Sequence, residues 1–159
     1  MRVSVLMDGP PDEVVAHLVA NWGSTVIASR GRLHDLRELP ALAVRGRGHL
    51  LGVAFYAIEN DQCELVAIDT MTPGHGVGAA LLDAVIERAR EEGCCRVWLV
   101  TTNDNTHAMD FYQRHGMRLV AVYPGAVDAA RATLKREIPE IGQHGIPIRD
   151  EIEFEFRFC

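Results

Sequence analysis

Two periodicities in the apolar residues divide the chain into predicted strands and helices. The segment MRVSVLM at 1–7 predicts a strand, and PPDEVVAHLVANW at 10–22 predicts a short amphipathic helix opened by proline. Residues 23–40 are polar and ambiguous, with some helical pattern around LHDLREL. The run at 41–70 contains three apolar strands separated by GRG and END, which is typical of an antiparallel meander.

The period changes after the third of these strands. Three alternating glycines stand in PGHGVG at 73–78, and apolar residues from Val77 onward recur at helical spacing. Gly93 predicts the end of this helix. RVWLVTT at 96–102 is a continuous apolar run, which predicts a central strand parallel to the one before the glycines. The predicted order is strand, glycine loop, helix and parallel strand.

The remaining residues predict two more helices and two more strands. NDNTHAMDFYQRHG offers Asp104 or Asn105 as a helix N-cap and Gly116 as the end of that helix. The other elements are a strand, a helix with an extended proline-containing crossing, and an alternating final strand, at 117–123, 125–150 and 151–158. The chain has 159 residues with no repeat or linker, so we expect a single domain over 1–159.

The composition disfavours several classes of function. Hydrophobic residues make up 48% of the chain and charged residues 24%, which is ordinary for a globular protein, and the net charge of -6 disfavours nucleic acid as a partner. No signal-peptide pattern or membrane-length apolar run is visible, so we expect a cytoplasmic protein. The four cysteines lack C-x-x-C spacing and the histidines lack H-E-x-x-H spacing, so we expect reduced thiols and no metal site.

The alternating glycines need a physical reason, because glycine in an ordered element costs roughly 0.5–1 kcal/mol relative to alanine. Backbone N–H groups at a helix start bind anions, and glycines let a phosphate approach them. A nucleoside triphosphatase loop requires Lys and Ser or Thr after its last glycine, whereas Ala-Ala-Leu follows Gly78. A dinucleotide fingerprint requires an acidic residue near the end of the next strand, which instead reads VTTN. A tight turn without a ligand is a further alternative.

Two motifs together resemble the GNAT superfamily of N-acetyltransferases. LVAIDTMTPGHGVGAALL resembles the acyl-CoA loop of that family, Arg/Gln-x-x-Gly-x-Gly/Ala, with Gly76 and Gly78 at the two glycines and Pro73 where Arg or Gln is usual. NTHAMDFYQRHGM resembles the second motif of the family, Asn-x-x-Ala-x-x-Phe/Leu-Tyr. The resemblance runs from Leu42 to Tyr123 and fades on both sides.

The resemblance implies an α/β (α+β) GNAT fold, in which helices flank a mixed, mostly antiparallel sheet of six to seven strands that is splayed between two central parallel strands. It implies acetyl-CoA as the cosubstrate and no metal, with the pantetheine arm bonding along the opened strand edges and a backbone N–H near Thr70 or Met71 polarising the thioester carbonyl. Asn105 matches an asparagine that contacts pantetheine and is equally suited to cap a helix. The implied acetyl-CoA-binding residues are Ile68, Thr70, Met71, His75, Gly76, Val77, Gly78, Ala79, Asn105, Ala108 and Tyr112.

Two catalytic residues are implied by the same resemblance. Tyr112 matches the tyrosine that protonates the departing CoA sulfur, and a phenol with a pKa of about 10 keeps its proton at neutral pH. The alternative for Tyr112 is a core aromatic beside Ala108 and Phe111. Glu64, on the strand before the loop, is the expected general base acting through water, with Asp69 as its competitor.

The acceptor is not identified by the sequence. The implied function is transfer of an acetyl group from acetyl-CoA to a primary amine by direct attack, in a monomer or homodimer. The alternative, which Pro73 motivates, is a non-catalytic module that binds acyl-CoA. His34, His75 and His107 are expected to be surface residues. Candidates for the acceptor pocket are Ser29, Arg30, His34, His144, Arg149 and Asp150.

Overall fold

A computed structural model of the chain describes residues 1–6 and 9–159, so Met7, at the end of the first predicted strand, lies outside the described residues. The strands are β1 (Arg2–Leu6), β2 (Val26–Ser29), β3 (Arg32–Asp35), β4 (Ala41–Gly46), β5 (His49–Glu59), β6 (Gln62–Thr70), β7 (Arg96–Thr102), β8 (Arg118–Tyr123) and β9 (Glu151–Arg157). The helices are α1 (Asp12–Trp22), α2 (Val77–Glu91), α3 (Thr106–Arg114) and α4 (Ala126–Thr133).

A β-hairpin occupies the region that the sequence left ambiguous. Strands β2 and β3 form a two-stranded sheet, and a 3-10 turn at Leu36–Glu38 follows them. Arg30 and Gly31 between the strands have φ of 49° and 77°, the paired left-handed residues of a tight hairpin turn. Asp35 ends β3 and accepts a hydrogen bond from the Arg37 N–H. Of the segment LHDLREL, only Leu36–Glu38 is helical, as a 3-10 turn, because Leu33, His34 and Asp35 belong to β3.

Among the described residues, seven strands form one sheet in the order β1-β4-β5-β6-β7-β9-β8, which confirms the mixed α/β class and the predicted meander. The pairs β1–β4, β4–β5, β5–β6 and β8–β9 are antiparallel. In the β5–β6 pair, Phe55 lies opposite Ala67 and Tyr56 opposite Leu65, so Val66 is an extra residue that forms a β-bulge. The central position of β7 is confirmed, although only Val97 and Leu99 of this strand are buried and its other side chains are half-buried.

The chain divides into two compact units, of which the first contains Met1–Ile27, His34–Val97 and Arg157–Cys159. Helix α1 packs on one face of the sheet in this unit, and α2 packs against β4, β5 and β6. Val53 points into the α1 core, whereas the neighbouring Gly52 approaches α2, as the alternation of a strand requires. The buried cluster beneath α1 consists of Val14, Leu18, Leu36, Ala41, Val53, Phe55 and Ala67.

The second unit contains Ala28–Leu33 and Trp98–Phe156. Asn105 caps α3, and Gly116 follows that helix with a φ of 92°, as the sequence predicted. Phe154 on β9 is fully buried. The predicted helix after β8 is present as α4, and the predicted extended crossing follows it. No helix among the described residues is long and apolar enough to cross a membrane.

The expectation of four reduced cysteines is wrong. Cys95 and Cys159 form a disulfide, while Cys63 and Cys94 are free and buried. The backbone N–H groups of Phe158 and Cys159 both donate to the Cys95 carbonyl, which brings the two bonded cysteines together. The 64 positions that separate these cysteines in sequence conceal the pairing from any analysis of local spacing.

Candidate functional site

The glycine loop joins β6 to α2, and two of its glycines are required by the backbone. Gly74 and Gly76 have φ of 85° and 73°, in the left-handed region that favours glycine. A Cβ atom built at either position meets nothing within 4 Å. Gly78 lies in the first turn of α2. The loop therefore combines a glycine-dependent conformation with open space above the backbone.

The N-terminus of α2 is suited to an anion. Gly76 is its N-cap and supplies no side-chain cap, and the first turn contains no acidic residue. The N–H groups of the first residues of a helix have no acceptor within that helix. In α2 the first intrahelical hydrogen bond runs from the Ala80 N–H to the Gly76 carbonyl at 3.1 Å. These N–H groups and the positive end of the helix dipole fit a phosphate, so the residues present fit the pyrophosphate of CoA.

Three predicted binding residues lie at the end of β6 and just beyond it. Ile68 and Thr70 are paired with Ala54 and Gly52 of β5. The Met71 N–H donates a hydrogen bond to the Leu51 carbonyl at 2.8 Å. Polarisation of a thioester carbonyl by the Met71 N–H would therefore require the loss of a bond to β5.

Both candidate bases lie on the face of β6 that contacts the α1 core. Glu64 is paired with Ala57 and Asp69 with Val53, at alternate positions of β5 that share one face. Each carboxylate has a histidine beside it. The Glu64 Oε1 atom lies 3.3 Å from His34 Nε2, and the Asp69 Oδ2 atom lies 2.6 Å from His17 Nε2.

The surface prediction for His34 is wrong, whereas His75 and His107 are exposed as predicted. The side chains of His34 and Glu64 are each only 7% exposed. His34 lies on β3, where Leu33 before it is exposed, so strand alternation turns the imidazole inward. Sequence analysis missed this pair because the strand itself had been missed.

The second unit carries the predicted residues of the second motif on α3. Asn105 accepts a hydrogen bond through Oδ1 from the Ala108 N–H at 3.2 Å, so its capping role is confirmed. Tyr112 is buried, and its ring lies 5.4 Å from that of Phe111 and 6.2 Å from that of Phe154. Burial raises the pKa of the Tyr112 phenol above its ordinary value, so the group stays protonated at neutral pH.

Among the acceptor-pocket candidates, Arg30 and Asp150 lie in the second unit, whereas His34 lies in the first. The Arg30 guanidinium lies 3.3 Å from the centroid of the Tyr123 ring and 3.7 Å from Glu151. The Tyr123 hydroxyl donates to Glu153 at 2.8 Å. Asp150 accepts from the Gly125 N–H at 2.8 Å, which is a structural role before α4. Sequence analysis missed the buried carboxylates of Glu151 and Glu153, whose only signal was their alternation in EIEFEFRF.

A surface groove with a volume of about 390 Å³ lies elsewhere in the first unit. The Arg88 guanidinium in it is hydrogen-bonded to the Tyr56 hydroxyl, which raises the pKa of Arg88. None of the predicted site residues lines this groove, so we do not assign the chemistry to it. Its lining residues are Leu39, Pro40, Tyr56, Ala57, Ile58, Arg88 and Glu92.

Comparison with known proteins gives a consistent result. The model of the acetyltransferase (GNAT) family matches residues 12–117. The chain is 40% identical to the uncharacterized protein YdhI of Bacillus subtilis (strain 168), over 91% of this chain and 94% of the relative. It is 31% identical to a streptothricin acetyltransferase of Streptomyces lavendulae, over 84% of this chain and 75% of the relative.

A solved structure supports the same fold. The crystal structure of a Bacillus subtilis acetyltransferase in complex with CoA superposes with a TM-score of 0.76 at 18% identity, covering 99% of this chain and 100% of the other. The family match over most of the chain, together with these relatives, shows that the chain belongs to the GNAT acetyltransferase family.

Proposed function

We propose that residues 1–159 form one N-acetyltransferase domain, which transfers an acetyl group from acetyl-CoA to a primary amine by direct attack. The observation that carries the proposal is the open, glycine-formed N-terminus of α2, where Gly74 and Gly76 adopt left-handed φ and leave space above the backbone. A turn without a ligand would not need that space or an uncapped helix dipole. Membership of the acetyltransferase family supports the same reading.

The residues proposed to hold acetyl-CoA are those that the two motifs assign. The N–H groups of residues 75–79 bind the pyrophosphate, and the absence of a side chain on Gly76 lets the phosphate come close. Pro73 replaces a family side chain but is exposed and removes none of these N–H groups. Asn105 contacts the pantetheine arm through its amide while its Oδ1 atom caps α3.

Glu64 is proposed as the general base and Tyr112 as the general acid. Glu64 accepts a proton from the acceptor ammonium through water, which frees the nitrogen lone pair. The nitrogen attacks the thioester carbonyl carbon, a C–N bond forms, and the C–S bond breaks. Tyr112 gives its phenol proton to the departing sulfur and recovers one as the amide nitrogen loses its own. Burial keeps the Tyr112 phenol protonated and ready for that transfer.

A panel of primary amines tests this function. The protein is incubated with acetyl-CoA and each amine, thiol release is followed, and products are identified by mass spectrometry. Streptothricin belongs in the panel because one relative is a streptothricin acetyltransferase. We expect a product heavier by one acetyl group for at least one amine. Tight CoA binding with no turnover on any amine would favour the non-catalytic module.

A further inference from the structure

The two carboxylate–histidine pairs on β6 differ in their hydrogen bonding, although both lie on the face that contacts the α1 core. Glu64 and Asp69 share one strand, whereas their histidine partners come from β3 and α1. Both ring nitrogens of His17 have a hydrogen-bond partner, whereas Nε2 of His34 has none among the described residues.

The His17–Asp69 pair is complete. His17 Nε2 lies 2.6 Å from Asp69 Oδ2, and Asn21 Nδ2 donates to His17 Nδ1 at 3.2 Å. With Nδ1 accepting, Nε2 carries the proton and donates it to the carboxylate. Both ring nitrogens are used, and the pair ties α1 to the end of β6. A structural role therefore accounts for the His17–Asp69 pair.

The His34–Glu64 pair is different. His34 Nε2 lies 3.3 Å from Glu64 Oε1, yet it makes no hydrogen bond to any residue that the structure describes. A buried polar atom without a hydrogen bond costs about 1–3 kcal/mol. Such atoms are rare in native proteins, and a catalytic role is one recognised reason for their retention. The atom concerned faces the carboxylate already proposed as the base.

We propose that His34 is a positioning residue for Glu64, an inference that rests on the proposed function. The imidazole limits the rotation of the buried carboxylate, and a small rotation of the ring brings Nε2–H onto Oε1. The carboxylate is then held in one orientation for the proton transfer through water. Misplacing a reacting group by about 1 Å can cost roughly 10²-fold in rate, so this restraint has a measurable value.

The backbone beneath His34 is well fixed. Asp35, the next residue, accepts hydrogen bonds from the Arg37 N–H and from Arg37 Nε, both at 3.1 Å. The Thr25 hydroxyl donates to the same carboxylate at 3.3 Å. These bonds hold the end of β3, so the imidazole is presented from a restrained strand end, as a positioning role requires.

Two amide variants of different reach test the proposal. In His34→Gln the side-chain amide extends to the level of Nε2, whereas in His34→Asn it stops at the level of Nδ1. For the best amine of the panel, we expect His34→Asn to lower kcat by roughly 10²-fold with the KM for acetyl-CoA unchanged. His34→Gln should recover most of that loss. Equal losses in both variants, with equal melting temperatures, would overturn the proposal.

A double-mutant comparison separates this inference from the proposed function. Glu64→Gln should lower kcat by itself, and adding His34→Asn should lower it little further, because His34 acts through Glu64. Additive losses would overturn the role of His34 and leave Glu64 as the base. Wild-type turnover in Glu64→Gln would overturn both assignments.

The complete pair supplies a matched control. His17→Asn should lower the melting temperature while leaving kcat close to the wild-type value, since the His17–Asp69 pair is structural. A fall in kcat for His17→Asn larger than that for His34→Asn would move the base to Asp69 and overturn the proposal.

Discussion

The backbone of Gly52 in β5 lies so close to Val77, the first residue of α2, that a Cβ at position 52 would come within 2.6 Å of Val77 Cγ1. The same Cβ would lie 3.0 Å from the Asp69 carbonyl and 3.0 Å from Leu81 Cδ1. Gly52 therefore sets how closely the start of α2 approaches the sheet. Because the proposed pyrophosphate site is the N-terminus of α2, we expect this packing distance to affect both stability and CoA binding.

Gly52→Ala should lower both the free energy of unfolding and the affinity for CoA. The added methyl group meets backbone as well as side chains, and overpacking of this kind costs about 1–3 kcal/mol. Gly46→Ala is the control, because its Cβ would meet only the flexible end of Leu51. Urea unfolding and CoA titration calorimetry measure the two effects. A Gly52→Ala protein with wild-type CoA affinity would show that the position of α2 does not govern binding.

The glycine loop should bind CoA through its backbone. Gly76→Glu or Gly78→Glu should abolish CoA binding by bulk and charge repulsion, while His75→Ala should matter much less because only its N–H is used.

A milder substitution, Gly76→Ala, has Gly93→Ala as its matched control. Both glycines have left-handed φ and open surroundings, at opposite ends of the same helix. Each change should cost about 1 kcal/mol of stability, but only Gly76→Ala should weaken CoA binding. A loss of CoA affinity in His75→Ala as large as that in Gly76→Glu or Gly78→Glu would contradict binding through the backbone.

Asp35 should stabilise the fold in a pH-dependent way. Hydrogen bonds from the Arg37 side chain lower the pKa of the Asp35 carboxyl from 3.8 to about 2. Because the folded-state pKa is depressed, the stabilisation is fully present above pH 3.8 and is lost as the pH falls toward 2. Asp35→Asn should therefore be less stable than wild type at pH 7, with the difference shrinking between those two values.

The measurement for Asp35 is urea unfolding at several pH values. Asp110→Asn, which removes only an exposed i,i+4 pair with Arg114, should change the free energy of unfolding less at pH 7. A gap between wild type and Asp35→Asn that stays constant down to pH 2 would rule out the ion pair as its source.

The sequence predicted the elements whose signals are local. The meander from β4 to β6, the glycine loop, the end of α2 at Gly93 and the two ends of α3 were all predicted, because hydrophobic periodicity and turn chemistry act within a few residues. The β2–β3 hairpin was not. Leu33 and Leu36 are at helical spacing, but Leu33 is exposed and Leu36 buried, so they share no helix face. The turn at Arg30–Gly31 and the cap at Asp35 outweigh the apolar pattern.

Features that depend on contacts between distant residues could not be predicted from local sequence patterns. The His34–Glu64 pair joins residues that lie 30 positions apart on different strands. The Cys95–Cys159 disulfide depends on the chain end returning to the start of β7. In contrast, Glu64 and Tyr112 were named as candidates from the family resemblance rather than from periodicity, and their catalytic roles are predictions for the variants to test.

Reduction of the Cys95–Cys159 disulfide should destabilise the protein. Closing a loop across 64 positions corresponds to about 4 kcal/mol in the chain-entropy model, and native disulfides typically contribute 2–4 kcal/mol. Cys159→Ser should therefore lower the melting temperature markedly, whereas Cys94→Ala leaves the disulfide intact.

Thiol labelling followed by mass spectrometry should modify neither Cys63 nor Cys94 until the protein unfolds, because burial raises the pKa of both thiols. Labelling of Cys95 in the non-reduced native protein would contradict the disulfide.

Tyr112→Phe should separate chemistry from packing at α3. The substitution retains the ring that contacts Phe111 and Phe154 and removes only the proton donor. We expect turnover to fall by on the order of 10²–10⁴, with little change in CoA affinity, because the hydroxyl acts as the thiolate develops. Tyr112→Ala is less informative, since truncating a buried aromatic costs about 3–5 kcal/mol and confuses stability with chemistry.

The control for Tyr112→Phe is Tyr56→Phe. Tyr56 is also buried, and its hydroxyl is hydrogen-bonded to Arg88 away from the proposed site, so turnover should stay at the wild-type level. Both variants are assayed with the confirmed acceptor across pH 6 to 10, with melting temperatures measured in parallel. The wild type should retain its activity to a higher pH than a phenol of ordinary pKa would allow, because burial raises the Tyr112 pKa and the donor keeps its proton. Wild-type turnover in Tyr112→Phe would make Tyr112 a core residue and leave protonation of the thiolate to water.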